Sequence, residues 1–348
     1  MKYNTLGHSD IQVSRICLGT MTWGEQNTQA EAFEQMDFAL EKGVNFWDTA
    51  ELYAVPPRPE TYGRTEEMIG QWLAKTGKRD QIVLASKMAG PSEFSTHIRE
   101  GNSRFNRQQI HQALDNSLKR LKTDYLDLYQ LHWPERKANY FGQLGFEYPS
   151  SDTASMTNFE ETLEVLTELV KAGKIRQIGL SNETPWGTMK FLQIAEAKGL
   201  QKIVTVQNPY NLLNRSYEVG MAEIAYQEQV GLLAYSPLGF GVLSGKYLKG
   251  LSPDNARLTL FPHYDRYSND NAVKATELYC ALAKGNGLTP AQLALAFINS
   301  RPFVSANIIG ATTIDQLKEN IDSIHIELDE DVLHQVERIH AQYPLPSP

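Results

Sequence analysis

Eight short apolar runs, separated by longer stretches of helical character, constrain this chain more than any other feature. They are Ile16 to Gly19, Asn45 to Asp48, Ile82 to Lys87, Leu126 to His132, Ile175 to Ser181, Ile203 to Gln207, Leu232 to Tyr235 and Val304 to Gly310. A continuous apolar run of this length reads as a strand buried on both faces, and its alternation with helices marks parallel βα units. The helical stretches are Gln29 to Lys42, Thr65 to Ala74, Arg107 to Arg120, Thr157 to Ala172, Pro185 to Lys198, Glu218 to Gln227, Pro290 to Ser300 and Asp315 to Ile321. Pro185 and Pro290 each follow a threonine, the order expected of a capping residue before a first-turn proline.

Two architectures use this rhythm. A doubly wound sheet opens its first helix with G-x-G-x-x-G, which Leu18-Gly19-Thr20-Met21-Thr22-Trp23-Gly24 does not supply. The glycine-rich run from Gly239 to Lys246 fails both that spacing and the P-loop spacing, since Phe240 stands where glycine is needed and Tyr247 follows the lysine. The expected fold is therefore α/β, a (β/α)8 TIM barrel. Its 348 residues suit one domain over 1–348, because such barrels run to roughly 250 residues or more. A hairpin is expected over residues 2–14, around Gly7-His8-Ser9-Asp10, and a proline-rich tail over 344–348. Three long connections, Met88 to Asn106, Trp133 to Thr157 and Ser236 to Asp270, are candidate binding loops.

Composition narrows the function. The chain is 41% apolar and carries 16 Tyr, 13 Phe and 5 Trp, enough for a large core. With a net charge of −8 and scattered Lys and Arg, it offers no extended cationic surface to nucleic acid or anionic lipid. Cys17 and Cys280 are far apart and form neither a disulfide framework nor a zinc spacing. No signal-peptide pattern opens the chain and no run approaches the length of a membrane span, so a cytoplasmic protein is expected.

The chemistry gathers where the runs end. Asp48 closes the second, Tyr53 follows five positions later, Lys87 closes the third and His132 the fourth. In a barrel these ends share one face, the face that carries active sites. Each has an ordinary structural explanation when taken alone: a helix cap, a half-buried aromatic, a strand-end charge, a core histidine. Titratable groups after three successive strands are harder to explain by packing. A tyrosine donates a proton near neutral pH only if its pKa is pulled down from about 10, and Lys87, anchored by Asp48, would do so. His132 would orient the oxygen that receives the proton, as in carbonyl reduction. Beyond the later runs, Ser181, Asn182 and Gln207 could bond a carboxamide, and Tyr235 offers a face for a flat ring.

At these positions the chain resembles the aldo-keto reductases, whose Asp, Tyr, Lys and His tetrad matches Asp48, Tyr53, Lys87 and His132. The resemblance implies that the hairpin plugs the barrel floor and that Ser181, Asn182, Gln207 and Tyr235 hold a nicotinamide. It further implies a pyrophosphate loop containing Ser236, Pro237, Leu238, Gly239, Gly241 and Lys246, with Arg257 reaching the 2′-phosphate. Gly310, Thr312, Gln316, Glu319 and Asn320 fall in the implied adenosine segment. Gly310 and Gln316 replace a lysine and an arginine of the aldose-reductase branch, so the chain follows the branch that includes potassium-channel β subunits. Val55-Pro56-Pro57-Arg58-Pro59-Glu60-Thr61 and Gln207 to Ser216 suggest the bacterial Tas-like, NADP(H)-dependent group.

The implied activity is reduction of a small-molecule aldehyde or ketone by hydride from NADPH, giving NADP+, with Tyr53 as proton donor. Trp23, Trp133 and Tyr140 are expected around the mouth. The alternative is a cofactor-sensing regulatory subunit with little turnover. A metal-dependent lyase is disfavoured, because carboxylates do not join His132 at ligand spacing.

Overall fold

Residues 1–148 and 158–347 are described by a computed structural model of the protein. Two short strands, β1 (Tyr3–Thr5) and β2 (Gln12–Ser14), pair antiparallel, and eight parallel strands then close a barrel. The barrel strands are β3 (Ile16–Gly19), β4 (Phe46–Asp48), β5 (Val83–Met88), β6 (Leu126–Leu131), β7 (Ile175–Ser181), β8 (Ile203–Pro209), β9 (Gly231–Tyr235) and β10 (Val304–Ile309). Each pairs with its sequence neighbour, and β10 pairs with β3 to complete the ring.

The helices are α1 (Gln29–Glu41), α2 (Arg64–Thr76), α3 (Arg107–Leu121), α4 (Phe159–Lys171), α5 (Pro185–Lys198), α6 (Tyr217–Gln227), α7 (Arg257–Leu260), α8 (Asp270–Gly285), α9 (Pro290–Asn299), α10 (Ile314–Asp322) and α11 (Glu330–Gln342). Thr184 and Thr289 cap α5 and α9 ahead of their prolines. α7, α8 and α11 are not among the helices expected from the sequence, and Thr157, the expected start of α4, lies outside the described residues. The tail is docked rather than free: Ser347 is buried, its N–H donates to the Leu213 carbonyl (3.1 Å), and Asn269 donates to the Pro346 carbonyl (2.8 Å).

Strand geometry divides the core in two, because alternate side chains point into the barrel or out to the helices. Cys17, Phe46, Ala85, Leu128, Val204 and Leu233 belong to the inner cluster. Leu18, Trp47, Leu84, Tyr129 and Val206 belong to the outer layer, against the helices. Leu6, Ile11 and Val13 of the hairpin join the inner cluster, so the hairpin seals one end of the barrel.

The same parity aims the chemistry. Asp48 lies two residues beyond inward Phe46, Lys87 two beyond inward Ala85, and Gln130 and His132 two and four beyond inward Leu128. Val204 and Gln207 are three apart, which strict alternation would send to opposite faces. A register shift against β7 supplies the extra residue and brings Gln207 inward. No helix among the described residues is long and apolar enough to cross a membrane.

Candidate active site

Lys87 is fully buried, and its ammonium finds an oxygen for each of its three protons. It donates to Asp48 Oδ2 (2.6 Å), the Thr49 carbonyl (2.8 Å) and the Tyr53 hydroxyl (3.3 Å). Asp48 is held in turn at Oδ1 by Gln130 (3.1 Å) and Gln207 (2.8 Å). The Tyr53 ring meets His132 edge-on, with centroids 5.8 Å apart. All four tetrad residues therefore converge, although they come from β4, β5 and the segments after β4 and β6.

Tyr53 sits on a connection anchored from beneath. Buried Glu51 accepts from the Ala89 N–H (2.7 Å) and the Tyr62 hydroxyl (3.1 Å), and pairs with Arg99, whose Nη1 donates at 3.1 Å. The sequence reading passed over Glu51, Arg99 and Gln130, because their partners come from separate βα units.

Electrostatics corrects one expectation. Burial pushes the Tyr53 phenol above its ordinary value, and Lys87 acts against that rise without reversing it. The phenol is therefore a protonated donor whose conjugate base has an ammonium beside it. Burial also works against the Lys87 charge, but Asp48 and Tyr53 outweigh it and raise its pKa. His132 is driven well below 6.5, first by burial and then by Lys87, so it is a neutral imidazole able to donate one hydrogen bond.

Asp48, Tyr53 and His132 open onto a cleft of about 1100 Å³. Ser181, Asn182, Gln207 and Tyr235 line it from the ends of β7, β8 and β9. The Tyr235 hydroxyl donates to Asn182 Oδ1 (2.6 Å), and Asn182 Nδ2 donates to the His132 carbonyl (2.9 Å), tying the aromatic to the tetrad. Ser236, Pro237, Leu238, Gly241, Lys246 and Arg257 follow along the same cleft. Gly241 has φ +90°, and an added Cβ would meet Lys246 Cε at 2.9 Å. Gly310, Thr312, Gln316, Glu319 and Asn320 also line it, around the start of α10. Gln316 accepts from the Thr312 N–H (3.0 Å), and Asn320 donates to the Gly310 carbonyl (3.1 Å).

Some expected residues lie elsewhere. Gly239 is buried against Tyr267 rather than lining the cleft. Trp23 is a core residue whose indole donates to Gln35 (3.1 Å). Trp133 is also buried, donating to the Pro91 carbonyl (2.8 Å) behind His132, and Tyr140 lines a neighbouring cavity of about 810 Å³. The two indoles fill the core, and Leu52, Val55, Phe94 and Phe141 line the cleft instead.

The cleft fits a dinucleotide. It runs from a proton donor to a helix start and is lined by Lys246 and Arg257, neither of which forms an ion pair among the described residues. No cluster of metal-ligating side chains is present among the described residues.

Residues 15–341 match the sequence model of the aldo/keto reductase family. The chain is 51% identical to Protein tas of Escherichia coli (strain K12) over 348 residues, covering all of both chains. It is 33% identical over 340 residues to an uncharacterized oxidoreductase, YrpG, of Bacillus subtilis, covering 97% of this chain and 96% of the relative. It is 30% identical over 362 residues to a probable voltage-gated potassium channel subunit beta of Oryza sativa, covering 99% and 98%.

Proposed function

This chain belongs to the aldo/keto reductase family, and from that premise we propose that it reduces an aldehyde or ketone to an alcohol with NADPH. The observation that carries the reading is the relay from Asp48 through Lys87 to Tyr53, opening beside neutral His132 onto a cleft of about 1100 Å³ that also takes in the start of α10.

Bound NADPH would supply hydride to the carbonyl carbon. Tyr53 delivers a proton to the carbonyl oxygen, and its developing phenolate is stabilised by the Lys87 ammonium. Asp48 keeps that ammonium charged and fixed between Thr49 and Tyr53. His132 holds the carbonyl oxygen by a neutral hydrogen bond, so it orients without competing as an acid. Asn182, Gln207 and Tyr235 would hold the nicotinamide, and the segment from Ser236 to Lys246 the pyrophosphate. Arg257, Thr312 and Gln316 would select the 2′-phosphate. We place the protein in the cytoplasm as one barrel domain acting on small molecules, without a nucleic-acid or membrane partner. Its acidic net charge supports that reading.

A screen of carbonyl compounds by NADPH oxidation tests the proposal, with repeated turnover expected. The likeness to a channel subunit beta supports a second reading, a cofactor-sensing subunit. Tight NADPH binding with negligible turnover across the screen would favour it.

A further inference from the structure

Arg266 lies on the connection between α7 and α8 and lines the active-site cleft. Its side chain touches elements far apart in sequence. The guanidinium carbon is 5.6 Å from the Phe240 ring centroid, and a Cβ added at Gly142 would meet its Nε at 2.9 Å. Its charge also acts on the Tyr235 phenol, offsetting part of the rise that burial imposes. Gly142 follows Phe141, whose ring meets Trp133 (5.7 Å between centroids), and Trp133 backs onto His132 (4.9 Å). Arg266 thus stands at the reacting end of the cleft.

No carboxylate pairs with it among the described residues. Asp254 and Asp265 line the same cleft, yet neither forms an ion pair with Arg266. Arg257 lies over the same Phe240 ring at 4.3 Å and feels Arg266 as a like charge. One aromatic ring therefore steadies two guanidinium groups that repel each other and face one cavity. An anionic oxygen group would relieve that repulsion, and a guanidinium fork is the side chain best shaped to hold one.

We propose that Arg266 binds a carboxylate on the carbonyl substrate, which makes oxo acids and other carboxylated aldehydes or ketones the preferred substrate class. The inference rests on the proposed carbonyl reduction and names the substrate for that site. A phosphate oxygen of the dinucleotide shares the required chemistry, but contact with Gly142, next to Phe141 at the mouth, assigns Arg266 to the substrate. Arg257 is left to the cofactor.

The test compares 4-formylbenzoate with its uncharged methyl ester, using the NADPH-loaded protein and its Arg266→Gln and Arg266→Lys variants. The carboxylate is expected to be favoured in kcat/KM by about tenfold or more in the unmodified protein. Arg266→Gln should erase that preference while leaving the ester's kcat/KM and the NADPH affinity unchanged, and Arg266→Lys should keep part of it. An undiminished preference in Arg266→Gln overturns the inference. So does weaker NADPH binding with an equal loss for both aldehydes, since the group would then hold a cofactor phosphate. If neither aldehyde is reduced, the carbonyl screen still tests the reductase reading, and calorimetric binding of 4-formylbenzoate to the NADP+ complex decides the subsite. At least tenfold weaker binding in Arg266→Gln supports it, and unchanged or absent binding refutes it.

Discussion

Lys87 is the residue on which the chemistry turns, because a fully buried ammonium is tolerable only with its oxygens in place. Removing one member of such a pair leaves the other charge unmatched, at a cost of about 3–5 kcal/mol. Lys87→Met should therefore lower the melting temperature and cut reduction steeply. Because Lys87 holds the Tyr53 phenol down against burial, its loss lets that pKa rise, and the alkaline fall-off in activity should move to higher pH. Asp48→Asn removes a negative charge that raises the same phenol, so its alkaline fall-off should move the other way, to lower pH. In the unmodified protein the raised pKa keeps Lys87 charged beyond its ordinary 10.5, so its stabilising contribution is full below that value and is lost as pH rises from there through the higher folded value. A pH profile of kcat/KM for the three proteins checks this. Coincident profiles would separate Lys87 from the proton transfer.

At the scale of elements, close packing of α2 on α3 and the cleft-lining segment after β9 are the two most exposed commitments. Gly70 of α2 sits so close to α3 that an added Cβ would fall on the Arg120 carbonyl oxygen, backbone that cannot step aside. Gly70→Ala should cost about 1–3 kcal/mol by overpacking, despite alanine's better helix propensity. Denaturant unfolding reads the sign directly, and a stabilised variant would mean that the two helices separate freely. After β9, Arg257 is the proposed 2′-phosphate partner. Loss of a charge-assisted hydrogen bond costs about 1.5–3 kcal/mol, or roughly ten- to more than a hundredfold in affinity. Fluorescence titration of Arg257→Ala should show NADPH weakened far more than NADH. Equal weakening would assign Arg257 to the shared pyrophosphate.

Elements also explain what could be read in advance. The barrel strands were visible because each is buried on both faces and so spelled by a continuous apolar run. α8 and α11 are extra to the regular βα rhythm and so are not legible from it, although Asn269 and Asp329 cap them. The tetrad was visible because three of its members end apolar runs. The inward turn of Gln207 was not, since it depends on a register shift that appears only when β7 and β8 are paired. Trp23 and Trp133 were misplaced for a related reason: an aromatic near a strand end looks the same whether it turns to the mouth or the core. Arg266 gave no sign, because Tyr235, Phe240 and Gly142 meet only in the folded chain.

Taken as a whole, the molecule is acidic, with a net charge of −8, yet cations line the cleft where a phosphorylated dinucleotide would lie. The barrel sets the tetrad and the start of α10 in the lining of that one cleft, an arrangement that would let the proposed reductase keep proton transfer apart from recognition of the adenosine end. The proposed reductase stands or falls with Tyr53 as its acid. Stopped-flow measurement of NADPH oxidation by the unmodified protein and Tyr53→Phe, with NADPH affinity titrated alongside, tests it most directly. Repeated turnover is expected, falling by at least about 10²-fold in the variant at nearly constant NADPH affinity. Retention of most of the rate in Tyr53→Phe, or binding without turnover in the unmodified protein, would contradict it.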